Sequence, residues 1–417
     1  MQPAHNTGII IIGAGEAGTR AAFTLREKQY AGPLTLINEE AELPYERPPL
    51  SKSALTNTLA PSPVFIADAA ALATQDILYL QGMAVTGLDR AAHTVMLQNG
   101  TQLEYTQLLL ATGARPRTLP LPHADQHNIH YLRTYADAMA LRGQLVPSMR
   151  LLVIGGGFIG LEVAASAVEK GCLVTVVEMA PRILGRAVPA DLAAFVAARH
   201  RAAGVHLIEA AGLSALQPQA TGYVVTLADG SRVECDVLVV GIGALPQTRL
   251  AELAGLAIDN GICVDARLAT NDPAIFAAGD CCSFPHPCFD GRRLRLETWR
   301  NAQDQGRHVA GSMLGGTAPF STIPWFWSDQ YEDTLQITGM PDEGDQTITR
   351  DTHGTKFLFH LKSGRLVGAS AFGPLASVAR DIRLAEMLIE AKTYPNIEAL
   401  ANPTVKLKSL LLVRTDA

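Results

Sequence analysis

Residues 151–178, LLVIGGGFIGLEVAASAVEKGCLVTVVE, leave this chain little freedom in how it folds. An apolar run over 151–154 leads into Gly155, Gly157 and Gly160, spaced G-x-G-x-x-G. A helix-forming segment over 161–170 follows, then a second apolar run over 173–177 that ends on Glu178. Strand, glycine turn, helix and strand in this order make a βαβ unit suited to a dinucleotide. The first glycine makes the tight turn, the second lets backbone N–H groups approach a pyrophosphate, and the third lets helix and strand pack closely. The helix N-terminus adds unpaired N–H groups and partial positive charge. Glu178 stands 23 residues after Gly155, where a carboxylate accepts hydrogen bonds from ribose hydroxyls and repels a 2′-phosphate. That predicts NADH over NADPH.

The pattern occurs twice. Residues 8–12 read as a strand, followed by Gly13, Gly15 and Gly18, a helix over 17–28 and a strand over 34–37. Glu39 stands 26 residues after Gly13. Two fingerprints imply two nucleotides on two doubly wound domains. A nicotinamide and a flavin dinucleotide make chemical sense together, because a flavin takes a hydride from NADH.

Composition narrows the classes. A chain of 417 residues is long enough for about two to four domains. Hydrophobic content of 48% and charged content of 18% describe a packed protein, not a disordered one. A formal net charge of −6 gives no basic field for nucleic acid. No apolar run approaches the ~18 residues of a membrane span. The apolar run near the N-terminus lacks a basic flank and enters a glycine turn, so it reads as a first strand, not a signal peptide. The 6 cysteines include no CxxC pair and fit a reducing cytoplasm.

Elsewhere the chain offers weaker signals. Pro44, Pro48 and Pro49 predict a rigid extended loop over 43–52, ending on Lys52. His123, His127 and His130 have helical metal-box spacing, but Pro120 and Pro122 oppose a helix and no acid or cysteine completes a ligand set. They read as solvated loop histidines, with no metal. A helix over 191–203 and a hairpin of 223–227 with 232–235 lead to a buried strand over 236–240 that stops at Gly241. Strands over 262–264 and 275–278 resume the first domain's pattern, so the second domain is inserted in it. Neighbouring Cys281 and Cys282 could close only a strained ring and read as inert thiols. Arg292, Arg293, Arg295, Arg300 and Arg307 form either a solvated face or a dock for an acidic partner. Trp325 and Trp327 read as core or interface. A hairpin of 356–362 with 366–372 precedes a helix over 377–392, apolar at Val378, Ile382, Ala385, Leu388 and Ile389. These suggest a small third domain.

Taken together, GAGEAG at 13–18, PYERPPLSK at 44–52, LLLATGARPR at 108–117 and GGGFIGLE at 155–162 resemble a known family. FAAGD at 276–280, ETWRNAQDQG at 297–306 and PWFWSDQ at 324–330 extend the likeness over nearly the whole chain. The family is the FAD-dependent NADH:ferredoxin reductases of bacterial oxygenase systems, of the putidaredoxin reductase and biphenyl dioxygenase reductase type. The resemblance implies an α/β fold: two doubly wound, glutathione-reductase-like dinucleotide-binding domains and a C-terminal α+β domain. It sets an FAD domain at 1–115 with 245–320, an NADH domain at 116–244 and a third domain at 321–417. By this likeness Gly13, Ala14, Gly15, Gly18 and Glu39 bind FAD, with Arg47, Lys52, Val85, Ala111, Arg133, Asp280 and Trp299. Gly155, Gly157, Phe158, Ile159, Gly160, Glu162, Glu178 and Gly241 take NADH.

Lys52 pairs with Glu162 in the family, as a catalytic pair beside the flavin ring. A cation there stabilises the negative charge of reduction. Arg307 and Trp327 fall where the family docks an acidic [2Fe–2S] ferredoxin. Related coenzyme A-disulfide reductases and NADH oxidases carry a redox cysteine in the loop matching 43–52, and glutathione-reductase-like enzymes carry a pair in the helix matching 17–28. This chain has neither, so electrons are expected to pass singly to an iron–sulfur protein. Competing readings are a rubredoxin reductase or NADH oxidase on the same scaffold, or a flavin-bound redox-signalling protein. The expected enzyme is a cytoplasmic monomer or homodimer with no nucleic-acid or membrane partner.

Overall fold

The computed structural model describes residues 7–411 apart from 59–61, 127, 186 and 353. Two compact units emerge. One comprises Met1–Glu46, Pro63–Arg115 and Leu245–Thr322; the other comprises Arg47–Ser62, Pro116–Ala244 and Ile323–Ala417.

In the first unit the strand Gly8–Ile12 lies between parallel neighbours Leu34–Ile37 and Gln102–Leu110. All of its residues are buried, as a parallel strand covered on both faces requires. Leu78–Leu80 extends one side, and Ile275–Ala277, arriving from late in the chain, joins Gln102–Leu110 on the other. The helix Glu16–Glu27 buries small residues, Ala17, Gly18, Ala21 and Ala22, which lets it lie close to its neighbours. It packs against the helix Trp299–Met313. Gly306 permits that approach, since a Cβ there would sit 2.5 Å from the Ala17 carbonyl oxygen.

The second unit repeats the doubly wound plan with strands ordered His206–Ile208, Leu173–Val177, Arg150–Ile154, Val237–Val240 and Ile129–His130. A three-stranded antiparallel sheet, Leu213–Pro218, Tyr223–Leu227 and Arg232–Cys235, stands beside it. The C-terminal part is a five-stranded antiparallel sheet, from Trp325–Gln330 to Gln346–Thr352 at its edges, with the helix Leu375–Glu390 packed on it. The helix Phe158–Glu169 is buried continuously from Gly160 to Ala167, because it rests on the parallel strands and also meets the strand Trp325–Gln330. Leu161, Leu192 and Val196 share one core with Leu335, Leu358 and Phe372 of the C-terminal sheet. Each such side chain contributes about 1.5–3 kcal/mol on burial. The α/β class, with two doubly wound regions and a C-terminal α+β part, is therefore as read from the sequence.

Some expectations are corrected. Residues 43–52 are not extended throughout: Pro48–Ser51 forms a 3₁₀ turn and Ser53–Thr56 a short helix. Proline suits the first positions of a helical turn, where its missing N–H is not needed. His130 is not a solvated loop residue; it lies half-buried on an edge strand and its Nε2 meets Gln144 Oε1 at 3.2 Å. His123 is exposed, and His127 lies outside the described residues. The arginine stretch is not one solvated face. Arg293 donates to the Val264 and Ser283 carbonyls, and Arg295 bonds Glu297 and the Asp280 carbonyl. Cys281 and Cys282 are fully buried, and burial pushes both thiols up.

Candidate functional site

The two glycine turns are built alike. Gly13 and Gly155 have φ of +104° and +103°, a region that favours glycine, and a Cβ on either would lie 2.2 or 2.4 Å from the carbonyl oxygen of Ala111 or Gly241. Gly18 and Gly160 carry no side chain because a Cβ would come within 1.9 or 2.1 Å of the carbonyl oxygen of Gly13 or Gly155. The middle glycines differ. A Cβ at Gly15 would meet nothing within 4 Å, and one at Gly157 would only graze the Gly241 carbonyl oxygen at 4.0 Å. The protein's own packing does not require glycine there; a ligand backed against the turn does. Gly15 and Gly157 are also the N-caps of the helices Glu16–Glu27 and Phe158–Glu169, and neither supplies a side-chain cap. The first N–H groups are thus left for an anion. These turns fit FAD and NADH pyrophosphates.

The acids that end the two βαβ units are set differently. Glu39 is exposed. Glu178 accepts from the Gly156 N–H and the Ala180 N–H, each at 2.7 Å, which fixes its carboxylate over the second turn.

The remaining first-unit residues fall as follows. Ala14 and Ala111 are buried at the first turn, and Val85 is half-buried on the strand Val85–Asp89. Asp280 follows the strand Ile275–Ala277, after Gly279 with φ +83°, whose N–H donates to Gln305 Oε1 at 2.8 Å. Trp299 opens the helix Trp299–Met313, capped by Thr298. Arg307, 50% exposed, lies 3.6 Å from Asp304 in a groove with Lys28 and Glu27.

In the second unit, Arg47 Nη1 donates to the Arg133 carbonyl oxygen at 2.6 Å. Ile159 is exposed, and Phe158 packs on Phe326 with ring centroids 4.2 Å apart. Trp327 stacks on Trp325 at 5.2 Å and its Nε1 donates to Asp329 Oδ2 at 3.0 Å. Glu162 is the outlier. It is a carboxylate only 3% exposed, in the second turn of a helix whose buried stretch holds one other polar residue, Ser166. A buried carboxylate needs donors, and it has them: Lys52 Nζ at 2.9 Å on Oε1, Ser328 Oγ at 2.7 Å on Oε1, and Ser51 Oγ on Oε2. Lys52 remains 23% exposed, so the pair joins a dry carboxylate to an ammonium that solvent or a ligand reaches.

Lys52 and Glu162 are therefore brought together as the sequence reading expects. Sequence reasoning does not single out Ser51, Ser328, Gln330 or His200. Ser51, Ser328 and Gln330 stand within PYERPPLSK and PWFWSDQ; His200 carries no local signal, being one more polar residue in an amphipathic helix.

Comparison with known proteins gives two family matches: Pyridine nucleotide-disulphide oxidoreductase over residues 7–306, and Reductase C-terminal over 325–411. The chain is 43% identical to the anthranilate 1,2-dioxygenase system ferredoxin–NAD(+) reductase component of Burkholderia cepacia over 96% of its own length and 98% of the relative's. It is 38% identical to the putidaredoxin reductase of Pseudomonas putida, over 87% of each chain. The crystal structure of the covalent putidaredoxin reductase–putidaredoxin complex superposes with a TM-score of 0.92 at 34% identity, covering 97% of this chain and 98% of that one.

Proposed function

The chain belongs to the pyridine nucleotide-disulphide oxidoreductase family, among the ferredoxin–NAD(+) reductase components of oxygenase systems, and from that premise we propose how its residues divide the work. The enzyme takes a hydride from NADH and passes single electrons to a [2Fe–2S] ferredoxin that serves an oxygenase. Bound FAD supplies the exchange between two-electron and one-electron chemistry. The first unit holds FAD through Gly13, Ala14, Gly15 and Gly18, with Glu39, Val85, Ala111, Asp280 and Trp299. The second unit holds NADH through Gly155, Gly157 and Gly160, with Phe158, Ile159, Glu178 and Gly241.

One observation carries the assignment of the reactive pair: Glu162, buried two residues after the second fingerprint, grips Lys52 at 2.9 Å. An ammonium fixed by a dry carboxylate is a preorganised positive charge, and it costs no reorganisation when negative charge develops nearby. Ser51 and Ser328 hold the carboxylate, and Lys52 presents the charge. Arg307 and Trp327 receive the ferredoxin, Arg307 through its charge and Trp327 through its stacked ring. The cysteines Cys172, Cys235, Cys281 and Cys282 are buried free thiols, which supports a reducing, cytoplasmic setting.

Anaerobic rapid mixing tests this division. Lys52→Ala should retain FAD and slow flavin bleaching by NADH by about 100-fold, the scale of one preorganised electrostatic contact. An unchanged rate removes Lys52 from the reaction. Replacing Arg307 and Trp327 together by alanine should raise the KM for ferredoxin about tenfold or more while leaving reduction of a small dye intact. Equal loss of both activities assigns these residues a structural role.

A further inference from the structure

We infer that Ser328, Gln330, His200 and Tyr331 are positioning residues for Glu162, linked in a one-way chain of hydrogen bonds that the C-terminal sheet brings to the reactive pair. The inference deepens, and rests on, the reading of Lys52 and Glu162 given above.

The contacts run without a gap. Glu162 Oε1 meets Ser328 Oγ at 2.7 Å, and Ser328 Oγ meets Gln330 Nε2 at 3.1 Å. Gln330 Oε1 meets His200 Nε2 at 2.9 Å, and His200 Nδ1 meets the Tyr331 hydroxyl at 2.9 Å. Ser328 and His200 are 0% exposed and Gln330 is 1% exposed, so water does not substitute for these partners.

The polarity of the chain follows from donor and acceptor inventories. A carboxylate only accepts, so the Ser328 hydroxyl donates to Glu162. Its oxygen must then accept from the Gln330 amide N–H. That turns Gln330 Oε1 toward His200, which donates through Nε2–H. The imidazole is neutral, because burial pushes it down to about 4. Nδ1 is therefore an acceptor, and Tyr331 donates to it. Each donor's direction is set by the carboxylate at the far end, so the chain fixes one position of Glu162 Oε1.

A second observation points the same way. Tyr331 has φ +60° at the turn joining Trp325–Gln330 to Asp333–Gly339, a conformation usually left to glycine or asparagine. The strained backbone places the ring edge-on to His200 at 5.1 Å and beneath the Arg199 guanidinium at 4.5 Å. Asp333 then holds Arg199 at 3.2 Å. A turn designed only to reverse the chain would not need a tyrosine here.

The full-length, FAD-loaded protein tests this. With ¹⁵N-labelled histidine, His200 should be neutral and in the Nε2–H tautomer at pH 7; the Nδ1–H tautomer overturns the chain without any variant. Ser328→Ala and Gln330→Met are then compared with Glu162→Gln by anaerobic mixing with NADH. Each should slow flavin reduction about tenfold, the scale of one hydrogen bond to a charged group, with the KM for NADH unchanged within about twofold. Ser328→Thr, which keeps the hydroxyl, should restore the rate. Wild-type reduction in Ser328→Ala and Gln330→Met beside a slow Glu162→Gln overturns the positioning role alone. A wild-type rate in Glu162→Gln overturns the reading of the pair beneath it.

Discussion

The two glycine turns are near copies, yet the helices that leave them have different neighbours. Glu16–Glu27 packs its small residues against the helix Trp299–Met313, from which Gln303 donates to Glu16, keeps Arg20 3.6 Å from Glu16, and exposes Glu27. Phe158–Glu169 is covered from Gly160 to Ala167 by a parallel sheet and by the strand Trp325–Gln330. The same backbone solution for a pyrophosphate therefore supports two roles. The first helix pairs its acid Glu16 with Arg20 of its own face and with Gln303 of the neighbouring helix. The second, covered from Gly160 to Ala167, carries a carboxylate into a dry place and has it fixed by residues from other elements, as Glu162 is. The acids that close the two units diverge too, with Glu178 bonded to two backbone N–H groups and Glu39 exposed.

That contrast breaks most sharply at the first glycines. Gly13→Ala and Gly155→Ala each force a methyl against a backbone carbonyl at positive φ. Gly13→Ala should give colourless protein without FAD, while Gly155→Ala should stay yellow and lose NADH affinity by about 100-fold or more. Absorbance and NADH titration check both, and loss of the same ligand in both variants breaks the comparison. A smaller effect belongs to the middle glycines, where the protein leaves space. Gly15→Ala and Gly157→Ala should keep the melting temperature within about 2 °C and weaken FAD or NADH binding, respectively, about tenfold. A large drop in melting temperature would mean the space is structural. Smallest is the difference between the closing acids. Glu178→Gln should narrow the preference for NADH over NADPH about tenfold, by removing a fixed negative charge. Glu39→Gln should change FAD retention only about twofold, as measured by dialysis and absorbance.

Much of this was legible in the sequence because the fingerprints are local. Glycine spacing, flanking apolar runs and the closing acid sit within one βαβ unit, and Leu34–Ile37 falls where the pattern places it. The hairpin Tyr223–Leu227 with Arg232–Cys235 likewise follows from alternation around an Asp-Gly turn. What escaped is non-local or set by context. Whether Pro48–Ser51 turns or runs straight depends on the helical segment that follows it. His130 reads as a loop residue until Val239 pairs with it. His200 and Ser328 acquire meaning only through Glu162, far away in sequence, and no periodicity announces a hydrogen-bond partner.

The first unit is assembled from three separated stretches of chain. Its strand Gln102–Leu110 receives Ile275–Ala277 as a neighbour only after the whole of Pro116–Ala244 has been made. At roughly 5–20 residues per second, the open end of that strand, Leu108 to Leu110, waits on the order of ten seconds on the ribosome. An unpaired strand edge is a template for aggregation during that wait. The inserted unit thus sets a kinetic demand on production of the protein: chaperones that cover the edge until Ile275 emerges favour soluble yield, and a chain cut before Ile275 leaves the first sheet with that edge open.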